Sequence, residues 1–196
     1  MEQLSGFIIA AFALTGSPGP NTLSLAASGA AFGARRSVRY MFGLLVGMVI
    51  VMSVTATGVT GAVMAIPALA GGITAAAVAY FVYLAWRIAT APPLDGSEGE
   101  RPAPNFAAGI AMSLANPKAY AAMAALFSGF VLIAGQPVAD AGVKLAMLTA
   151  TILLVNVAWL FAGAALTRLF RDPRASRAIN ILFAALLLLT VALAVT

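Results

Sequence analysis

The sequence predicts an all-α membrane protein: six transmembrane helices arranged as two inverted three-helix repeats, with helices 1 and 4 broken in mid-span. Three observations lead there. The 196 residues are 62% hydrophobic and only 9% charged, where a water-soluble domain carries about a quarter charged residues. Charge-free runs of bilayer length recur along the chain. Two of these stretches are cut by proline beside asparagine at matching places in the two halves.

The charge-free runs are Gln3–Ala34, Tyr40–Trp86, Ala119–Ala139, Leu145–Thr167 and Ala178–Thr196. One helix needs about 20 apolar residues to cross the hydrocarbon core. The 47-residue second run therefore holds two helices, turning at 66–72, where Pro67 and the Gly71, Gly72 pair interrupt the pattern. The expected spans are Leu4–Ala31, Tyr40–Ala65, Ala68–Ile88, Asn105–Ile133, Ala141–Leu166 and Ala178–Val195. The first is read as a retained span and not a secretory signal, because it opens on Glu2 rather than a basic residue and is too long for a signal core.

The segment Ala91–Pro104, rich in Pro, Gly and acid, is the one extended polar stretch. It separates a first repeat, 1–90, from a second, 105–196, within a single membrane domain. Arg35, Arg36, Arg39, Arg87, Arg101, Arg168, Arg171, Arg174 and Arg177 all fall on one side of a six-span chain, with Lys144 alone opposite. The positive-inside rule makes the arginine side, and with it the 91–104 linker, cytoplasmic and puts both termini outside. Three spans per half is an odd number, so related halves must be inverted, as in many secondary transporters. The net charge of +5 is thus a matter of orientation, and no nucleic-acid partner is expected.

Span 1 is interrupted by Gly16, Ser17, Pro18, Gly19, Pro20, Asn21 and Thr22. Prolines remove N–H donors and clash with preceding carbonyls, and glycines loosen the backbone. Span 4 repeats the device with Asn116, Pro117 and Lys118. Unwound backbone at membrane depth is tolerated only inside protein or beside a water-filled cavity, so the two breaks mark a polar interior. The competing reading is two prolines that merely kink helices for packing. Half-helices starting near Asn21 and Lys118 would aim free N–H groups and positive dipole ends into the bundle, a field suited to a carboxylate.

Lys118 is placed deep in its span, where an ammonium costs at least about 2.5–3.5 kcal/mol. No span holds an acid, so its partners would be carbonyls, Asn side chains, water or an anionic ligand, unless it snorkels to an interface. Ser17–Thr22 and Asn116–Lys118 are the candidate substrate-binding residues, with Asn156 and Trp159 in a second tier. Gly43 with Gly47, and Gly29 with Gly33, have the spacing of close helix contacts. Tyr80, Phe81, Tyr83 and Trp86 read as an interfacial belt.

Cys and His are absent, which excludes thiol redox chemistry, zinc sites and His-based catalysis. No catalytic residue, metal or cofactor is expected, and a secondary exporter is preferred to an intramembrane enzyme. An exporter of cations or another small solute, or a channel of the same fold, is the alternative.

PGPNTL at 18–23, GLLVG at 43–47, AYFVYLAWR at 79–87 and NPKA at 116–119 together resemble the LysE superfamily of amino-acid exporters, in particular its RhtB-like homoserine/threonine branch. The resemblance covers nearly the whole chain. It implies a multi-pass protein of the bacterial inner membrane that exports amino acids or related metabolites, driven by an ion gradient. H+ is left open as the coupling ion and a homodimer as the assembly. Such proteins commonly carry an acid just after the second glycine of the GLLVG stretch, where this chain has Met48. That departure counts against cationic substrates and against simple carboxylate-based proton coupling, and favours small neutral amino acids.

Overall fold

A computed structural model describes residues 2–58, scattered positions between 72 and 90, 103–165 and 173–195. The expected turn at 66–71, most of the 91–104 linker, Tyr80, Phe81, Arg87, Arg101, Arg168 and Arg171 lie outside the described residues. The helices are α1 (Glu2–Gly16), α2 (Pro20–Ala56), α3 (Phe106–Ala115), α4 (Pro117–Gly129), α5 (Pro137–Ala165) and α6 (Pro173–Val195). The described positions from 72 to 89 are helical as well, and no strand occurs among the described residues.

α1 stops where Pro18 and Pro20 forbid continuation. Pro20 then opens α2 at its first position, where a missing N–H costs nothing. Gly19 is the N-cap, with extended backbone, and its N–H donates to Thr22 Oγ1 at 2.9 Å.

The 37 residues of α2 are two antiparallel arms. Ser28 Oγ donates to Ser37 Oγ at 2.8 Å and Tyr40 OH to Ser24 Oγ at 2.9 Å, although residues 24 and 40 would stand about 24 Å apart in a straight helix. The reversal occurs at Gly33, with φ 77° and ψ 160°, a conformation that is essentially glycine-only. Arm 20–32 completes span 1 and arm 34–56 is span 2. The connection expected before Tyr40 thus shrinks to one residue, with Arg35, Arg36 and Arg39 on the opening turns of the second arm. Charge marks where a helix leaves the apolar layer, not where it ends. The second arm also ends early, at Ala56 rather than Ala65, followed by Gly58 at φ 75°.

The glycine spacings divide. A Cβ on Gly43 would lie 2.1 Å from Phe106 O and one on Gly109 2.4 Å from Tyr40 O, so arm 34–56 and α3 touch backbone to backbone. Gly29 and Gly163 do the same between arm 20–32 and α5. Gly33 has open space around it; its role is the turn, contrary to the packing role expected for it.

Asn105 caps α3 by accepting the Ala108 N–H at 2.8 Å, and Asn116 separates α3 from α4. α4 ends at Gly129, short of Ile133, and α5 begins at Pro137 rather than Ala141. Lys144, expected to be a lone charge at the membrane surface, is buried in α5 with 2% exposure. It pairs with Asp140 Oδ2 at 2.6 Å and donates to the carbonyls of Phe127 and Phe130. Asp140 Oδ1 in turn accepts the N–H groups of Leu132 and Ile133. In the non-helical connection 130–136 this pair thus meets the Leu132 and Ile133 N–H groups and the Phe130 carbonyl.

Two apolar cores result, one around Leu25, Leu44, Met112 and Leu160 and the other around Phe7, Met52, Met123 and Leu148. Large apolar side chains such as Ile9, Leu154 and Phe161 face outward, as lipid contact requires. Arm 34–56 alone is about 34 Å long, enough to cross, and α5 is longer still.

Candidate functional site

Following the central segments from one core to the other, the polar residues fall between them: Ser17–Thr22 on span 1, Asn116–Lys118 on span 4 and Asn156 on α5, with Met48 of arm 34–56 at the edge of the second core. Polar groups held between two dry layers must satisfy one another or enclose something that does.

The end of α1 is satisfied from across the bundle. A helix terminus leaves carbonyls without intrahelical partners. Here Leu14 O accepts the Ser17 hydroxyl at 3.1 Å and Gly16 O accepts Trp159 Nε1–H at 3.1 Å. Lys118 Nζ donates to Ser17 O at 3.0 Å, Ser17 Oγ at 2.7 Å and Pro18 O at 2.9 Å. The ammonium, brought from the other break, sits at the negative end of the α1 dipole.

A second network fixes the orientation of the amides. Ser113 Oγ donates its one proton to Leu44 O at 2.9 Å, so it can only accept from Asn21, whose Nδ2 stands 2.9 Å away. Asn21 therefore turns Oδ1 toward Asn116 and accepts from Asn116 Nδ2 at 3.0 Å. Each step leaves one assignment at the next. The relay ends with Asn116 Oδ1 facing away from its neighbours. That oxygen is buried without a hydrogen-bond partner, and so is Asn156 Nδ2; Asn116 is 4% exposed and Asn156 3%.

Both asparagines line one cavity of about 50 Å³. Ser17, Gly19, Asn21, Thr22 and Lys118 line it too, with Thr15 and an apolar wall including Met48, Met123, Ile152 and Val155. Among the residues that line it, Asn116 Oδ1 and Asn156 Nδ2 are thus a buried acceptor and a buried donor without hydrogen-bond partners. Among the described residues no carboxylate, thiol or imidazole lines it, and no group of three metal-ligating side chains occurs.

The expected site residues come together across the two breaks. Pro18, Pro20 and Pro117 do not line the cavity; they act by ending one helix and starting the next. Trp159 does not line it either; its indole N–H donates to Gly16 O at the end of α1.

A family model described as LysE-type translocator matches residues 12–196. The chain belongs to the LysE-type translocator family. Cysteine/O-acetylserine efflux proteins of Escherichia coli K12 and Shigella sonnei are each 35% identical over 174 residues, covering 87% of this chain and 86% of theirs. That of Escherichia coli O139:H28 is 35% identical over 175 residues with the same coverage. No solved structure matches. As a LysE-type translocator the chain is an integral membrane protein and a transporter, not an enzyme.

Two parts of the translocator's polar interior escaped the sequence reading. Ser113, which sets the direction of the amide relay, lies three residues before Asn116, one helical turn away. Its signal was a serine in an otherwise apolar span. Asp140 and Lys144 carry the i, i+4 spacing of a helical ion pair, but Asp140 falls just before the expected fifth span and Lys144 counts in the sequence only as the lone charge opposite the arginine side.

Proposed function

We propose that this translocator exports small neutral amino acids, held as zwitterions in the cavity between the two helix breaks. The observation that carries this is the unfilled pair. Asn116 Oδ1 is a buried acceptor suited to an α-ammonium, and Asn156 Nδ2 a buried donor suited to an α-carboxylate. Leaving either group unmatched costs about 1–3 kcal/mol, so a ligand that matches both gains where water alone binds weakly. Room for roughly three or four water-sized groups suits a short side chain. Met48 and the apolar wall favour an uncharged one. Cysteine and O-acetylserine, named for the relatives, are neutral zwitterions of this class, and both are larger than the cavity, which must widen to hold them.

Ser17, Pro18, Gly19, Pro20, Asn21, Thr22, Asn116, Pro117 and Lys118 form the binding region, the prolines through backbone shape and Lys118 through the end of α1. Within the same reading, the halves 1–90 and 105–196, joined by 91–104, are inverted repeats of three spans. The protein belongs to the RhtB-like branch and lies in a bacterial inner membrane with both termini outside. A proton gradient drives export, and the small-residue faces suit a homodimer.

Counterflow in proteoliposomes tests the substrate reading. Alanine, serine, cysteine and O-acetylserine should exchange. Cysteamine, which lacks the carboxylate, and 3-mercaptopropionate, which lacks the amine, should not. Equal uptake of all three sulfur compounds, or non-saturable flux, would refute a zwitterion site in a carrier.

A further inference from the structure

The α1 break offers two backbone carbonyls, Ser17 O and Pro18 O, and one hydroxyl, Ser17 Oγ, to a single point, all 2.7–3.0 Å from Lys118 Nζ. Three acceptors meet three N–H groups, so this ammonium makes its full set of hydrogen bonds. The geometry leaves no alternative occupant nearby: a Cβ on Gly19 would come 3.0 Å from both Nζ and Cδ of Lys118. Neutral carbonyl and hydroxyl oxygens at the C-terminal end of a half-helix are the ligand set with which secondary transporters hold a coupling cation. Without a carboxylate the set suits a monovalent ion, since a divalent one demands charged ligands to offset its dehydration.

We propose that Lys118 is a tethered cation: its Nζ occupies an alkali-cation site built by the broken end of α1, so the transport cycle needs neither Na+ nor K+, and the site accepts such an ion once the ammonium is withdrawn. The claim rests on the transporter reading for its efflux arm only; its binding arm stands alone. Because the positive charge belongs to the other half of the chain, it joins the two breaks covalently and cannot diffuse away.

The binding arm compares thermal unfolding of detergent-purified wild type, Lys118→Ala and Lys118→Met in NaCl, KCl or choline chloride at equal ionic strength. Lys118→Ala empties the site, and its midpoint should rise by several degrees in Na+ or K+ over choline, the larger rise identifying the ion. Wild type should show no difference, and neither should Lys118→Met, whose thioether fills the space without a charge. A folded Lys118→Ala with no ion-specific rise overturns the proposal. The efflux arm covers the case in which the alanine variant does not fold. Wild-type amino-acid efflux should be unchanged when Na+ and K+ are replaced by choline, and a loss of tenfold overturns the tethered cation directly. Absence of all amino-acid flux would refute the substrate reading and leave the binding arm to decide this one.

Discussion

Gly163→Ala adds one methyl group where arm 20–32 and α5 touch. The new Cβ would stand 2.0 Å from Ala26 O and 2.7 Å from Ala26 Cα, whereas carbon and carbonyl oxygen normally approach to about 3.3 Å. Both obstacles are backbone, so no side chain can rotate away, and the helices must part by more than 1 Å. Overpacking of this kind costs about 1–3 kcal/mol, against which alanine's better helix propensity returns up to about 1 kcal/mol. Gly142→Ala, on the same helix, is the control: Gly142 is exposed and a Cβ there meets nothing within 4 Å. Thermal unfolding in one detergent should therefore move in opposite directions, down for Gly163→Ala and level or up for Gly142→Ala. Separation of the helices would also disturb Trp159, four residues earlier on α5, and with it the end of α1, so efflux should fall for Gly163→Ala alone. An unchanged melting point for Gly163→Ala would refute the backbone contact and the packing of the hairpin on α5.

Four further outcomes are expected. Asn156→Leu removes an unpaired buried donor, so stability should hold or rise. The lost hydrogen bond to a carboxylate, worth about 1.5–3 kcal/mol, should weaken apparent substrate affinity roughly 10- to 100-fold; unchanged affinity would remove Asn156 from the site. Trp159→Phe leaves Gly16 O without its partner, which should lower stability by about 1–3 kcal/mol in the same unfolding assay, with no change in which amino acids compete for export. Met48→Glu places an acid on the cavity wall and should bring lysine or ornithine into competition with alanine, and failure of any cationic amino acid to compete would separate Met48 from selectivity. A fluorescent reporter should stay dark when fused after Thr196 and fluoresce when inserted at 91–104; the reverse pattern would overturn the orientation.

The interior was legible in the sequence to the extent that covalent chemistry dictates it. Proline at 18, 20 and 117 cannot continue a helix, so both breaks could be placed to the residue. Gly43 and Gly47 could be assigned to a close contact because nothing larger fits one. What sequence could not supply was direction. Asn116 was visible as an amide, but which of its atoms is left over depends on a serine in α3 and a carbonyl in the second arm of α2. Charge misled at two places. Arg35, Arg36 and Arg39 suggested a loop where the helix continues through the headgroup region. Lys144 looked like a surface marker because its partner, Asp140, stood just outside the expected span.

The one-residue reversal at Gly33 bears on how the protein is made. A ribosome delivers spans in order, and most neighbouring spans can enter the bilayer one at a time because a loop lets the first settle before the second arrives. Here no slack exists between arms 20–32 and 34–56, and the hydrogen bonds from Ser28 Oγ to Ser37 Oγ and from Tyr40 OH to Ser24 Oγ both cross the hairpin. An arm inserted alone would enter the lipid without either of them. The arms are therefore best pictured as entering together, already folded on each other, with the basic cluster at 35–39 held back at the bilayer surface as the stop. Lengthening the turn with a flexible insert would release that coupling, giving the nascent chain a choice of topologies that the wild-type sequence denies it.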